Sequence, residues 1–365
     1  MDFTILGKPG FIILQALITG LLVGGIYALI ALGIVIINKA SGVFNFAHGF
    51  MMLAGALIFW SLFQNLPVSP LVAFIFSGVI LTMLVSGVRW PITWSRRRIL
   101  IAATVLWLIA GAALIQEQST LIRALVGTAL GSALIGLLIE RMTIRPLIGQ
   151  PLFTTVMMTL VVGEVLLGVT QLTWGSIDRS LPVFASTNAL GLPQAFPPLR
   201  FPNVLGGTVV IKAELLFGFA LAIAAFVVFV IFFRYTSLGL AMRASAENQD
   251  LAQAVGLRVR AILAVAWAIA GVLAALAGVL HGASTGVSIT MPGLALRAFP
   301  AVLLGGLESV GGAVVGGLVI GVAEKLGTAL FGSDVGEQLI PFVVLMIVLV
   351  IRPYGLFGEK RIERI

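Results

Sequence analysis

The chain has 365 residues, 60% of them hydrophobic and only 10% charged, whereas a soluble domain carries about 25% charged residues. It contains no cysteine and two histidines, His48 and His281, far apart in sequence. Disulfides, thiolate chemistry and Cys-based metal sites are excluded, and a His-rich metal centre is disfavoured.

Many stretches exceed the roughly 18 apolar residues that mark a membrane span. They are continuous rather than alternating, so helices are expected and not a barrel. The fold class is all-α: a polytopic membrane protein of about 8–10 transmembrane helices, with short re-entrant or half-helices and one cytoplasmic helix. Spans are expected at 11–37, 46–63, 71–88, 99–115, 121–139, 153–172, 214–233, 261–280 and 337–351. A Gly-rich segment at 297–328 is short for two full spans and reads as two half-helices. The whole chain reads as one transmembrane domain.

The net charge is +8. On a soluble protein that would suggest nucleic acid. Here the basic residues sit in loops between spans, so lipid is the expected partner. Alternation puts fifteen Lys and Arg on the side of residues 234–260 and four (Lys8, Arg179, Arg200, Lys212) on the other. The positive-inside rule then makes the first side cytoplasmic, with the N-terminus outside and the C-terminus inside. The N-terminus shows no cleavable signal. The longest outside loop, 173–213, is rich in Pro, Gly, Ser and Asn, which favour turns over regular structure.

The first motif is GLLVGGIYALIALGIVIINKASGVFNFAHGFMMLAGA, residues 20–56. Small residues recur at helical spacing, Gly20 and Gly24, then Gly25, Ala28 and Leu32, and such faces let helix backbones approach closely. Asn45 and His48, at i and i+3, would share a helix face, with Gly49 following. Either they line a solute path or they hydrogen-bond across to a neighbouring helix. No acidic or nucleophilic group stands near His48 in sequence, which argues against a catalytic base.

Glu164 lies midway along the 153–172 span. A carboxylate buried there is a functional candidate, or a capped structural group. The second motif is LRAFPAVLLGGLESVGGAVVGGLVIGVAEKL, residues 296–326. It carries Gly305, Gly306, Gly312 and Gly316, with GxxxG spacing at Gly312/Gly316 and again at Gly317/Gly321, so it packs tightly on something. Glu308 sits in the break, with Arg297 as one possible partner. Glu324 and Lys325 read as interfacial.

The third motif is a polar island at 236–256, TSLGLAMRASAENQDLAQAVG, between two apolar runs. Ser237 is a plausible N-cap and Gly256 a plausible stop. On a helix, Arg243, Glu247, Asp250 and Gln253 gather on one face, and Leu240, Ala244, Leu251 and Val255 on another. A helix lying on the bilayer would carry a Lys/Arg-rich polar face. This face is close to neutral, so protein contact fits it better.

Together the three stretches resemble the permease subunits of ATP-binding-cassette importers for branched-chain amino acids. GIYALIALGIVIINKASGVFNFAHGFMMLAGA looks like that family's N-terminal signature, GLAMRA with QDLAQAVGL its cytoplasmic coupling segment, and RAFPAVLLGGLESVGGAVVGGLVIGVAE its C-terminal signature. The resemblance implies an inner-membrane transport subunit with no enzyme chemistry and no cofactor of its own. It implies a second homologous permease, two ATPase subunits that use the ATP, and a periplasmic solute-binding protein. Arg243, Glu247, Asp250, Gln253 and Gly256 would then meet the ATPase. Importers of urea and short amides share these motifs. The stretch 68–120 is longer than the family needs, and Glu164 has no counterpart in the family motifs. The rival from the residues alone is an ion-coupled transporter or channel using Glu164 or Glu308.

Overall fold

The computed structural model describes residues 4–5, 7–64, 101, 104–105, 107–108, 120–184, 197–204, 206–247 and 249–358. Within these, helices dominate. In chain order they are α1 (Gly10–Ser41), α2 (His48–Phe63), α3 (Thr120–Ile139), α4 (Leu152–Trp174), α5 (Ala213–Tyr235), α6 (Ser237–Glu247), α7 (Gln249–Ala254), α8 (Val259–Thr285), α9 (Pro292–Gly305), α10 (Val310–Phe331) and α11 (Ile340–Ile351). Single wider π turns extend α3 at Glu140–Ile144 and precede α11 at Val335–Leu339. Six of the helices are long and apolar enough to cross a membrane. The expected pair at 71–88 and 99–115 lies almost wholly outside the described residues.

The Gly-rich segment departs from two half-helices. Its first part, α9, has 14 residues, but α10 has 22 and is long enough to span. The reason lies at the ends. Pro292 starts α9 upstream of the glycines, where a missing N–H costs nothing. Ser309 caps α10, its Oγ accepting the Gly312 N–H at 2.9 Å, and α10 runs on to Gly332, whose φ of 96° ends it.

The loop at 173–213 also contains regular structure. β1 (Thr4–Ile5) and β2 (Lys8–Pro9) form a short ladder near the N-terminus, and β3 (Leu199–Val204) pairs antiparallel with β4 (Gly207–Ile211). Val209, Val210 and Ile211 are β-branched and fit a pleated edge better than a turn.

The chain divides into two compact units. The first comprises Met1–Val35, Ala195–Val230 and Gly293–Ile365. In it α1 and α10 meet backbone to backbone. A methyl placed on Gly24 would stand 2.8 Å from the Gly317 carbonyl oxygen, and one on Gly317 only 2.6 Å from the Ala28 nitrogen. Gly20 and Gly321 repeat this contact one turn away, Gly20 against Val322 and Gly321 against Gly24. The two small-residue faces of the sequence therefore pack on each other. α10 meets α9 in the same way, Gly312 on Gly305 and Gly316 on Ala301. The tail then closes α9: Leu356 N–H donates to Leu304 C=O at 2.7 Å and Phe357 N–H to Gly305 C=O at 3.1 Å.

The second unit comprises Ile36–Gln194 and Ile231–Pro292. Its centre is α2, α3 and α8. Gly55 lies on Ala275, Gly136 on the Trp267 carbonyl, Gly271 on the Ser132 carbonyl and Gly278 on the Met52 carbonyl. α4 leans on α2, with Gly163 against the Phe50 ring and the Trp174 indole N–H donating to Ser61 Oγ at 2.6 Å. The loop after α4 is pinned by Arg179, which exchanges backbone bonds of 2.9 and 2.8 Å with Val287 and lies 4.2 Å from the Trp60 ring centroid. At the end of α3, Arg145 grips the buried Glu140 carboxylate with two parallel bonds, 2.9 Å through Nε and 2.8 Å through Nη2.

Two outcomes follow from this packing. Gly317→Leu should cost about 1–3 kcal/mol by driving α1 from α10, read as a lower unfolding midpoint of the purified protein in detergent. Arg145→Ala strands the Glu140 charge and should cost about 3–5 kcal/mol; the joint Glu140→Leu, Arg145→Met change should recover most of that loss in the same assay.

Candidate functional site

The polar island folds as α6 and α7. Thr236, not Ser237, caps α6: its Oγ1 accepts the Gly239 N–H at 3.0 Å and its O–H donates back to Phe232 C=O at 2.6 Å. The cap falls one residue early because α5 ends at Tyr235 and Thr236 already stands in the cap position. Gly256 ends α7 as expected. Its φ is 87°, Leu257 N–H reaches Ala252 C=O and Gly256 N–H reaches Gln253 C=O, both at 2.9 Å. This is the paired closure of a left-handed helix stop.

The faces of the island are not those of the helical projection. The inward face is small: Gly239, Ala241, Met242, Ser245 and Ala252 are buried. Gly239 sits against the backbone of Phe232 and Phe233, so α6 lies close under the end of α5. Arg243 donates to the Phe233 carbonyl, and Ser245 Oγ donates to Ala40 C=O at 3.2 Å. The larger apolar residues point out instead. Leu240, Leu251 and Val255 are 60%, 62% and 70% exposed. Arg243, Glu247, Gln253 and Gly256 are exposed with them, and Asp250 belongs to α7 with only its backbone described. The outward surface is thus mixed: large apolar side chains interleaved with both signs of charge. That composition suits a protein partner better than water or lipid.

The N-terminal motif is arranged differently from its spacing. Gly42, with φ of 69°, ends α1, and α2 begins at His48. Asn45 therefore precedes the helix and does not share a helical face with His48. It organises the turn, its Oδ1 accepting the Ala47 N–H at 3.0 Å and its Nδ2 lying 3.5 Å from Met51 Sδ. The bond to a neighbouring helix is made by Thr159 of α4, whose hydroxyl accepts the Phe46 N–H at 3.1 Å. His48 and Gly49 are buried, and neither ring nitrogen of His48 has a hydrogen-bond partner among the described residues.

Glu164 is not buried: it lies at the middle of α4 on an exposed face beside Val161 and Val165. Gly163, one residue earlier, takes the inward position against Phe50. Glu308 is half-buried in the turn between α9 and α10. Gly305, Gly312 and Gly316 are contact points between these two helices, and Gly306 adopts φ of 101° next to Gly358. Arg297 pairs with Glu337 rather than with Glu308.

That pair belongs to a cluster that motif reading missed. Glu324 is buried within the protein, 1% exposed. The Tyr27 hydroxyl donates to its Oε2. Lys325 Nζ stands 2.9 Å from Glu324 Oε1 and 3.3 Å from Glu337 Oε1, and Arg297 Nη1 lies 2.9 Å from Glu337 Oε2. All five groups belong to the first unit. The available signal was the presence of ionisable residues in apolar segments, Arg297, Glu324, Lys325 and Glu337 among them; which of them pair does not show in the sequence.

No group of three or more metal-ligating side chains occurs among the described residues. The arrangement is one of long apolar helices, packed glycines and a polar helix pair. A family model described as "Branched-chain amino acid transport system / permease component" matches residues 16–121 and 98–349. The chain is 27% identical over 355 residues to the high-affinity branched-chain amino acid transport system permease protein LivH of Salmonella typhimurium, covering 96% of this chain and 97% of that one. It is 28% identical over 356 residues to the corresponding permease protein BraD of Pseudomonas aeruginosa, covering 96% and 98%. A probable branched-chain amino acid transport permease protein LivH of Methanocaldococcus jannaschii is 34% identical over 139 residues, 36% of this chain and 44% of that one. With its long apolar helices, this chain is a multi-pass membrane protein and belongs to the family of permease components of branched-chain amino acid transport systems.

Proposed function

We propose that this chain forms half of the membrane path of an ATP-driven importer that brings branched-chain amino acids into the cytoplasm. It stands in the inner membrane beside a second homologous permease, above two ATPase subunits, and receives its solute from an external binding protein. The N-terminus faces outside and the C-terminus inside, in keeping with the distribution of Lys and Arg. The relatives' names support the solute class.

The observation that carries the reading is the outward face of α6 and α7. A mixed surface with Leu240, Leu251 and Val255 exposed beside Arg243 and Glu247 is a docking surface waiting for a protein. Its inner side is held rigidly. Gly239 and Arg243 fix α6 to the end of α5, and Ser245 fixes it to the end of α1 at Ala40. A push on α6 is therefore delivered to the ends of two long helices. When ATP closes the ATPase pair, the island moves as a lever, and the path opens alternately to either side. The permease performs no chemistry. Its coupling residues are Arg243, Glu247, Asp250 and Gln253, with Gly256 setting where the lever ends.

Asn45, Gly49, Gly305, Gly306, Gly312 and Gly316 serve packing around the path, and His48 and Glu308 lie close to that packing. Glu164, exposed at mid-span, faces the water-filled path between the two permeases, because an ionised carboxylate facing lipid would cost at least a few kcal/mol.

Glu247→Lys should leave the permease folded and inserted but separate ATP hydrolysis from uptake. Leu251→Asp should cut co-purification of the ATPase subunits by about tenfold or more, as expected for removing an apolar anchor worth about 2 kcal/mol. Both are read in proteoliposomes loaded with ATP and supplied with binding protein. Unchanged uptake and unchanged ATPase association in both variants would remove the lever. Collapsing the proton gradient should leave uptake intact; gradient-driven uptake without ATPase subunits would instead favour an ion-coupled transporter.

A further inference from the structure

The cluster of Tyr27, Glu324, Lys325, Glu337 and Arg297 has no task in the lever. Ionised groups in an apolar segment are costly and are retained for a partner or a path. Within the same chain there is a model of what a purely structural pair looks like. Arg145 holds Glu140 by two parallel bonds, the strongest form of that contact. Arg297 meets Glu337 differently: among the described residues it uses Nη1 alone, and its side chain is 36% exposed, that of Glu337 32%. The remaining donors of the guanidinium fork, built for a carboxylate, are not spent on Glu337.

The rest of the cluster makes an exchange of partners possible without stranding a charge. Lys325 bridges both carboxylates. If Arg297 turns to another carboxylate, Glu337 keeps Lys325 on Oε1, and its Oε2 becomes free to accept an ammonium. Glu324 stays held by Lys325 and by the Tyr27 hydroxyl. The four charged groups sum to zero, so a ligand that takes the place of the Arg297–Glu337 bond without stranding either charge carries both signs and is neutral overall. An ammonium and a carboxylate on one carbon meet that requirement.

We propose that Arg297 and Glu337 form a site for the zwitterionic head of an α-amino acid, with the α-carboxylate on the Arg297 fork and the α-ammonium on Glu337 Oε2. Lys325, Glu324 and Tyr27 are positioning residues that keep the site neutral when it opens. The proposal rests on the importer reading for its solute and adds where this chain holds it. It also separates amino acids from urea and short amides, which carry no such pair of charges.

The test uses the complete transporter in lipid nanodiscs without the external binding protein, and labelled leucine as the probe. Wild-type transporter should bind leucine, and valine should displace it. Isopentylamine, which lacks the carboxylate, and 4-methylpentanoate, which lacks the ammonium, should not displace it in large excess. Arg297→Lys keeps the charge and loses the fork; it should weaken leucine binding about tenfold, the loss of one charge-assisted bond, with an unchanged unfolding midpoint. Glu337→Gln should weaken it at least as much. Equal displacement by the amine or the acid would overturn the site. So would unchanged leucine affinity in the folded fraction of both variants, which would leave the cluster as a latch between helices. Leucine uptake driven by ATP in a wild-type transporter that binds no leucine in this assay would remove the site and leave the importer reading standing. Absence of uptake for every branched-chain amino acid would remove both.

Discussion

Helix backbones touch directly in this protein, and much else depends on that contact. In lipid the apolar side chain gains little by leaving its surroundings, because a hydrocarbon tail is as apolar as leucine. What remains is close packing, and glycine permits the closest. Gly24 with Gly317 and Gly321, Gly305 with Gly312, and Gly55 with Ala275 are the points where helices meet within each unit. Large apolar side chains such as Leu29, Ile34 and Trp267 fill the space around these contacts, while others such as Leu172, Val228 and Val350 are exposed. The same logic acts on the island. Gly239 brings α6 against α5, and Leu240 is turned outward as a result.

Charge is handled in three ways. Arg145 and Glu140 form a closed fork with both carboxylate oxygens used. Arg297, Lys325, Glu324 and Glu337 form an open balanced cluster with a tyrosine at its buried end. Arg243 spends its side chain on a backbone carbonyl at the end of α5. These are a closed clamp, an open cluster and a backbone anchor, and the number of bonds per ion distinguishes them better than the mere presence of a salt bridge.

Most of the architecture was legible in the sequence because long apolar runs leave the chain no alternative to helices. The GxxxG spacings announced close contacts, and Gly256 announced the end of α7. What escaped was set by partners distant in sequence or by competition over a single residue. Tyr27 reaches Glu324 across most of the chain, and no local pattern reports that. Asn45 had the spacing of a helical neighbour of His48, yet its side chain bonded the backbone two residues on and kept the helix from starting there. Thr236 and Ser237 are both good caps, and the end of α5 decided between them. The island's periodicity gave two faces, and neither turned inward; the small residues between them did, with Gly239 against the end of α5. The β-branched run at 209–211 was outweighed by the turn-forming residues around it, although it pairs with β3.

The tail on α9 places a condition on the order in which the chain can assemble. The carbonyls of Leu304 and Gly305 find their donors in Leu356 and Phe357. Those donors are synthesised only after α10 and α11. Until then these two carbonyls lack those donors, and an unpaired carbonyl is costly wherever water is excluded. The end of α9 is therefore completed only by the far end of the chain, although α9 itself is made before the two helices that follow it.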